Sequence, residues 1–241
     1  MNIQTLAIAP DLANFPITRR WPARHPDRIQ LYSWPTPNGV KVSIALEEMG
    51  LSYEAHQVRL RPEDVKSPEF RSLNPNGKIP AIIDPNGPDG APIGLFESGA
   101  ILLYLAEKTG QLAGGSARDR QIVTQWLMFQ MGGVGPMFGQ LGYFHSFAGS
   151  EIGDPRPRQR YIDEAKRLLG VLDEALEGKE WIAGEYSIAD IAIVPWLRAL
   201  GTTYNALELV GMEDFPNVSA WRDRFLARPA VQRGLNTPPR D

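Results

Sequence analysis

The sequence predicts an α/β domain followed by an all-helical domain. Three observations carry that reading. Residues 28–110 alternate short apolar runs with patterned segments in the order β-α-β-(α)-β-β-α, a unit built from local pieces. Residues 110–117, Gly-Gln-Leu-Ala-Gly-Gly-Ser-Ala, have the composition of an interdomain linker. From 118 to 241 no strand pattern competes with helical spacing.

Residues 1–27 contain Pro10, Pro16, Pro22 and Pro26 and no sustained period, so they read as an irregular arm tied down against the body or a partner. The first strand spans residues 28–34. It runs into a turn of Pro35, Thr36, Pro37, Asn38 and Gly39, and a helix follows over Lys41–Met49 with Gly50 as its C′ residue. Free backbone N–H groups and the helix dipole make such a turn a place to hold an anion. Tyr53–Leu60 alternates as a second strand, and Arg61–Ser72 reads as a loop with a short helix. In Asn76-Gly77-Lys78-Ile79-Pro80 a turn signal precedes a β-branched run. A proline there has no ladder N–H to lose, and a cis bond is plausible. Strands Ala81–Asp84 and Ile93–Phe96 follow, then a helix from Glu97-Ser98-Gly99-Ala100 to Gly110.

In the second half, residues 118–131 read as a helix that Gly132-Gly133-Val134-Gly135-Pro136 should kink or interrupt. Residues 157–177 are amphipathic, with Tyr161, Ala165, Leu168, Leu169 and Leu172 inward. Ser187-Ile188-Ala189-Asp190 resembles a capping box and opens a nearly apolar helix, Ile191 to Leu200, expected at the centre of this domain. Pro216–Arg228 gives a further helix, with Trp221 and Phe225 inward and a break at Pro229.

Composition narrows the function. Hydrophobic content of 43% and charged content of 22% suit a soluble protein, and a formal net charge of −3 gives no case for nucleic acid or anionic membrane. No apolar run reaches membrane-spanning length and no signal peptide pattern opens the chain, so cytoplasmic location is the default. The chain has no cysteine, which excludes Cys nucleophiles, Cys-x-x-Cys pairs and thiolate metal sites. Its three histidines, His25, His56 and His145, lack ligand spacing, so no metal is expected. Any thiol chemistry must use a thiol brought in by a ligand.

The two-domain plan, with Asn-Gly-Lys-Ile-Pro, Phe-Glu-Ser-Gly-Ala-Ile and Ser-Ile-Ala-Asp in order, resembles the cytosolic glutathione transferase superfamily over roughly residues 28–235. Thr36-Pro37-Asn38-Gly39, residues 96–108 and Gly132-Gly133-Val134-Gly135-Pro136-Met137 are similar to the bacterial nu-class branch, which acts on disulfides with bound glutathione. The resemblance implies a thioredoxin-like first domain at 28–110, a helical domain at 118–241, a homodimer, and glutathione as cosubstrate. It implies that Glu97 and Ser98 hold the γ-glutamyl group, although the same pair also reads as a plain helix cap. Ile79 before Pro80 would pair with the cysteinyl backbone, and Lys78 could meet the glycyl carboxylate. Thr36 and Asn38 are the implied thiol partners. Thr-Pro-Asn-Gly is equally a good β-turn by itself, and Ser33 and Tyr32 are rivals at the strand end. Arg160 matches an arginine that contacts a second glutathione; a solvated arginine beside Arg156 and Arg158 is the plain alternative. One departure falls at Val65, where relatives often offer a polar side chain. There backbone groups or Lys66 serve, or the contact is lost.

The activity this implies is glutathione-dependent disulfide-bond reduction, with weak transferase activity. Conjugation of small electrophiles and a non-catalytic glutathione-binding scaffold are the alternatives. Trp34, Phe129, Met131, Met137, Phe138, Phe144 and His145 are candidates for lining the substrate side.

Overall fold

The computed structural model describes residues 12–239, so the first eleven residues of the predicted arm lie outside the described residues. The remainder of the arm is anchored. Leu12 and Ile17 are buried in a cluster with Tyr32, Phe70 and Ile83. The Arg20 guanidinium donates to Asp64 at 2.6 Å, and Trp21 Nε1 donates to the Gln57 carbonyl at 2.9 Å.

The first half contains β1 (Ile29–Ser33), α1 (Pro37–Glu48), β2 (Tyr53–Gln57), α2 (Pro62–Val65), α3 (Pro68–Leu73), β3 (Ala81–Asp84), β4 (Ile93–Phe96) and α4 (Ser98–Thr109). Sheet order is β2-β1-β3-β4, with β1 and β2 parallel and the other neighbours antiparallel. All five β1 residues are buried, as expected of a central strand covered on both faces. Several boundaries differ from the sequence reading, the second strand ending at Gln57 rather than Leu60. The first helix begins at Pro37, because the fixed φ of proline suits the first helical position and Thr36 caps it. The 61–72 stretch forms two short helices, each opened by proline after an extended residue.

The second half is helical: α5 (Ala117–Phe129), a π-helical segment Gln130–Val134, α6 (Gly135–Ser146), α7 (Arg156–Ala175), α8 (Ile188–Thr202), α9 (Pro216–Leu226) and α10 (Pro229–Leu235). The expected interruption at Gly132–Pro136 is a widened turn. Gly135 N–H donates to the Gln130 carbonyl five residues back, which lets the helix pass Pro136 without the N–H that residue lacks. α8 is the buried centre. Its capping box is formed, with Asp190 accepting from Ser187 N–H at 2.8 Å. Asp190 also accepts from Ile182 N–H and from Trp221 Nε1 at 2.9 Å. Burial pushes its carboxyl up to about 6 against these bonds. α10 continues past the Pro229 break and packs on α1, which also meets α4 and α8.

Candidate active site

Three chain segments meet at one cleft. The first is the start of α1. Thr36 Oγ1 accepts from Gly39 N–H at 3.1 Å, and Pro37 and Asn38 follow in the first turn. Gly39 is required by close approach, since a Cβ there would lie 1.9 Å from the Trp34 carbonyl oxygen and 2.7 Å from Ser33 Oγ. The second is the loop 74–80, ending in a cis Ile79–Pro80 bond. Asn74 Oδ1 accepts from Asn76 N–H at 3.0 Å, while Ile79 N–H and C=O have no intrachain hydrogen bond among the described residues. The third is the β4–α4 junction. Glu97 takes φ +71 and ψ 112, a strained conformation for a residue with a side chain, costing on the order of 1–3 kcal/mol. No side chain caps α4, so its first N–H groups, at the cleft-lining Ser98 end, are left without that partner. The plain helix-cap reading of Glu97–Ser98 therefore fails.

Asn38, Asn74, Asn76, Lys78, Ile79, Pro80, Glu97 and Ser98 line an inner cavity of about 60 Å³. Asn38, Asn76, Lys78 and Glu97 also border an outer cavity of about 410 Å³, shared with Gln130, Met131, Gly135, Pro136, Gly139, Gln140 and Trp196. A cavity of about 470 Å³ between Pro35, the end of α8 and residues 235–239 is larger, but Arg198 is its one charged lining residue. The chemistry-bearing side chains converge on the first two.

Of the predicted residues, Asn38, Lys78, Ile79, Pro80, Glu97 and Ser98 are brought together here. The Asn38 Oδ1 atom is buried with no hydrogen-bond partner. Thr36 caps the helix and borders neither cavity. Arg160 is exposed on α7, four residues before Glu164, and likewise borders neither. Ser33 and Tyr32 are fully buried. Burial pushes the Tyr32 phenol far above its usual value, and its ring stacks on His56 with centroids 4.7 Å apart. The Val65 carbonyl lies against Gly77, 2.9 Å from where a Cβ would stand, and Val65 and Lys66 border neither cavity. Met131 is the one member of the apolar candidate set on the outer cavity. Phe138 is core, Phe144 stacks on Tyr161, and His145 Nε2 lies 3.4 Å from the Asn205 carbonyl.

Sequence reasoning missed Lys41, Gln130 and Trp196. Lys41 is fully buried, with Nζ donating to Gln130 Oε1 at 2.6 Å and to Ser98 Oγ at 3.2 Å. Burial pulls its ammonium down to about 7, with Glu97 acting in the opposite direction. The available signal was its setting: Val40, Val42, Ile44, Ala45 and Leu46 occupy all sides of the helix, leaving a lysine among them no solvent-facing position.

Comparison with known proteins decides the family. The sequence models of the glutathione S-transferase N-terminal domain and C-terminal domain match residues 36–108 and 143–229. The disulfide-bond oxidoreductase YfcG of Escherichia coli (strain K12) is 44% identical over 209 residues, covering 86% of this chain and 94% of the relative. The chain belongs to the glutathione S-transferase family. The disulfide-bond oxidoreductase YghU of the same organism is 41% identical over 220 residues, 88% of this chain and 74% of the relative. A glutathione transferase from Burkholderia graminis, crystallised with two glutathione molecules per subunit, superimposes with a TM-score of 0.96 at 64% identity, covering 98% of this chain and 99% of that one. A glutathione transferase from Pseudomonas putida, with one glutathione disulfide per subunit, gives 0.93 at 64% identity over 94% and 99%. The family's two-domain plan is therefore the fold observed here, and the chain is an enzyme of that family.

Proposed function

We propose that the protein is a glutathione-dependent disulfide-bond oxidoreductase with weak transferase activity. The observation that carries this is the Asn38 carboxamide. It sits in the first turn of α1, its Oδ1 without a hydrogen-bond partner, and lines the same cavity as Ile79–Pro80 and the uncapped start of α4. The names of YfcG and YghU and the ligands of the two crystal structures support the same reading.

In this reading the α4 N–H groups and Ser98 take the γ-glutamyl carboxylate and Glu97 takes its ammonium. The Ile79 backbone pairs with the cysteinyl unit, and Lys78 meets the glycyl carboxylate. This brings the thiol to the start of α1, where the dipole and the Asn38 amide donor favour thiolate. Thr36 can add its hydroxyl proton while its oxygen caps the helix. The thiolate attacks one sulfur of a disulfide. A new S–S bond forms, the old one breaks, and the departing thiolate takes a proton. A second glutathione, seated at the outer cavity and reaching past its lining to Arg160 as its proposed contact, attacks with its thiolate the glutathione sulfur of the mixed disulfide. It releases the second thiol and leaves glutathione disulfide. Two glutathiones are oxidised as one disulfide is reduced to two thiols. The proposal extends to a homodimer working in the cytoplasm.

The test is to assay one preparation for reduction of a small disulfide and for conjugation of a small electrophile. Reduction well above conjugation is expected. Conjugation in excess, or tight glutathione binding with neither turnover, would overturn the reading.

A further inference from the structure

The buried Lys41 ammonium has an unusual set of partners. Its hydrogen bonds run to a hydroxyl, an amide oxygen and, at 3.8 Å, the Met131 sulfur, all neutral groups. A buried cation is costly to keep without an opposing charge. The acid that acts on it, Glu97, is itself solvent-exposed. The charge is therefore only partly offset, by an exposed carboxylate, and its contact with Ser98 places it at the start of α4, whose N–H groups already carry a positive dipole end.

The contact with Ser98 has a directional consequence. An ammonium has three donors and no acceptor, so Lys41 donates and the Ser98 oxygen accepts. The Ser98 hydroxyl proton is then left to point elsewhere. The Met131 sulfur, 3.8 Å away, is a weak acceptor for it, and an anion in the inner cavity is a strong one. Gln130, from the π-helical segment, holds the ammonium in place from the other side. The widened turn of the helical half thus sets the polarity of a hydroxyl in the sheet-bearing half.

We propose that Lys41 is a positioning residue for carboxylate recognition: held by Gln130, it fixes Ser98 as an outward hydrogen-bond donor and supplies the counter-charge for the γ-glutamyl carboxylate. This deepens the glutathione reading above and rests on it. Lys41 touches no reacting atom and acts through Ser98.

The test compares the wild type with Lys41→Met, Ser98→Ala and the double variant in two binding titrations. One uses glutathione and the other its analogue lacking the γ-glutamyl α-carboxylate. The wild type should prefer glutathione. Lys41→Met should weaken glutathione binding about tenfold or more and leave the analogue within about twofold. The double variant should be little worse than the worse single, because both changes break one relay. If Lys41→Met does not fold, Gln130→Leu should reduce the same preference in the same direction. Equal losses for both ligands, or multiplicative losses in the double variant, would overturn the role of Lys41 while leaving the glutathione site intact. A wild type that does not discriminate between the ligands would overturn both.

Discussion

Replacing Asn38 with alanine removes the one side-chain amide that faces the proposed thiolate from the first turn of α1. A hydrogen bond to a charged group is worth about 1.5–3 kcal/mol, and one pKa unit corresponds to about 1.4 kcal/mol. The variant should therefore raise the pKa of bound glutathione by roughly 1–2 units. Below the wild-type pKa the thiolate fraction falls about 10- to 100-fold. A more basic thiolate is also a better nucleophile, with a Brønsted slope of about 0.4–0.5, which returns part of the loss. The net fall in kcat in that range is then about 3- to 15-fold. Above the higher pKa both enzymes carry full thiolate, and the variant should be the faster by about 3- to 10-fold. The two pH profiles should cross. The assay is kcat for disulfide reduction at saturating glutathione across the pH range, with a parallel titration of thiolate absorbance in the complex. Unchanged midpoints, or parallel profiles displaced by a constant factor, would refute thiol activation by Asn38.

Thr36→Ala should act mainly on stability. Losing its cap on Gly39 N–H costs about 1 kcal/mol, or roughly 2–4 °C in Tm by calorimetry, with a smaller fall in kcat than Asn38→Ala. Gly39→Ala should be severe, because its Cβ would fall 1.9 Å from a backbone carbonyl that cannot swing away. A loss of about 3 kcal/mol or more by denaturant titration is expected. Lys41→Met should change how stability depends on pH. The Lys41 ammonium is depressed from 10.5 to about 7 by burial, with Glu97 opposing, so between those values the unfolded chain binds more protons than the folded one. Wild-type stability should rise with pH from about 7 by up to about 1.4 kcal/mol per unit relative to the variant, measured by urea titration at pH 7, 8 and 9.

What could be read from sequence was what neighbours in the chain determine. The Ser187–Asp190 box, the cis Ile79–Pro80 bond and the helix stop at Gly110 are products of a few adjacent residues, and each formed as expected. The segment Gly132–Pro136 signalled an interruption, but its form depends on Gly135 N–H finding the Gln130 carbonyl rather than leaving the helix. Lys41 was opaque for another reason. Its partners come from α4 and the π-helical segment, which lie far along the chain, and no local pattern announces them. Thr36 and Asn38, equivalent as polar residues in one turn, were separated by geometry alone: one hydroxyl turned back to cap the helix, and one amide turned out to the cleft.

The enclosure of α1 by α4, α8 and α10 has a consequence for how the enzyme comes into being. Gly234 of α10 lies so close that a Cβ there would stand 2.6 Å from the Ile44 backbone, and its carbonyl accepts from Ser43 Oγ. The Arg228 guanidinium, just before α10, forks onto Glu48 at 2.7 and 2.8 Å. α10 thus seals α1, a helix nearly two hundred residues earlier in the chain, at the foot of the segment that carries the proposed thiol site. A nascent chain stopped after α4, or a protease fragment of that length, would hold every cleft residue of the sheet-bearing half and still expose the apolar back of α1 to water. The proposed site and the helix that supports it from behind are therefore separated in the chain and joined only in the fold.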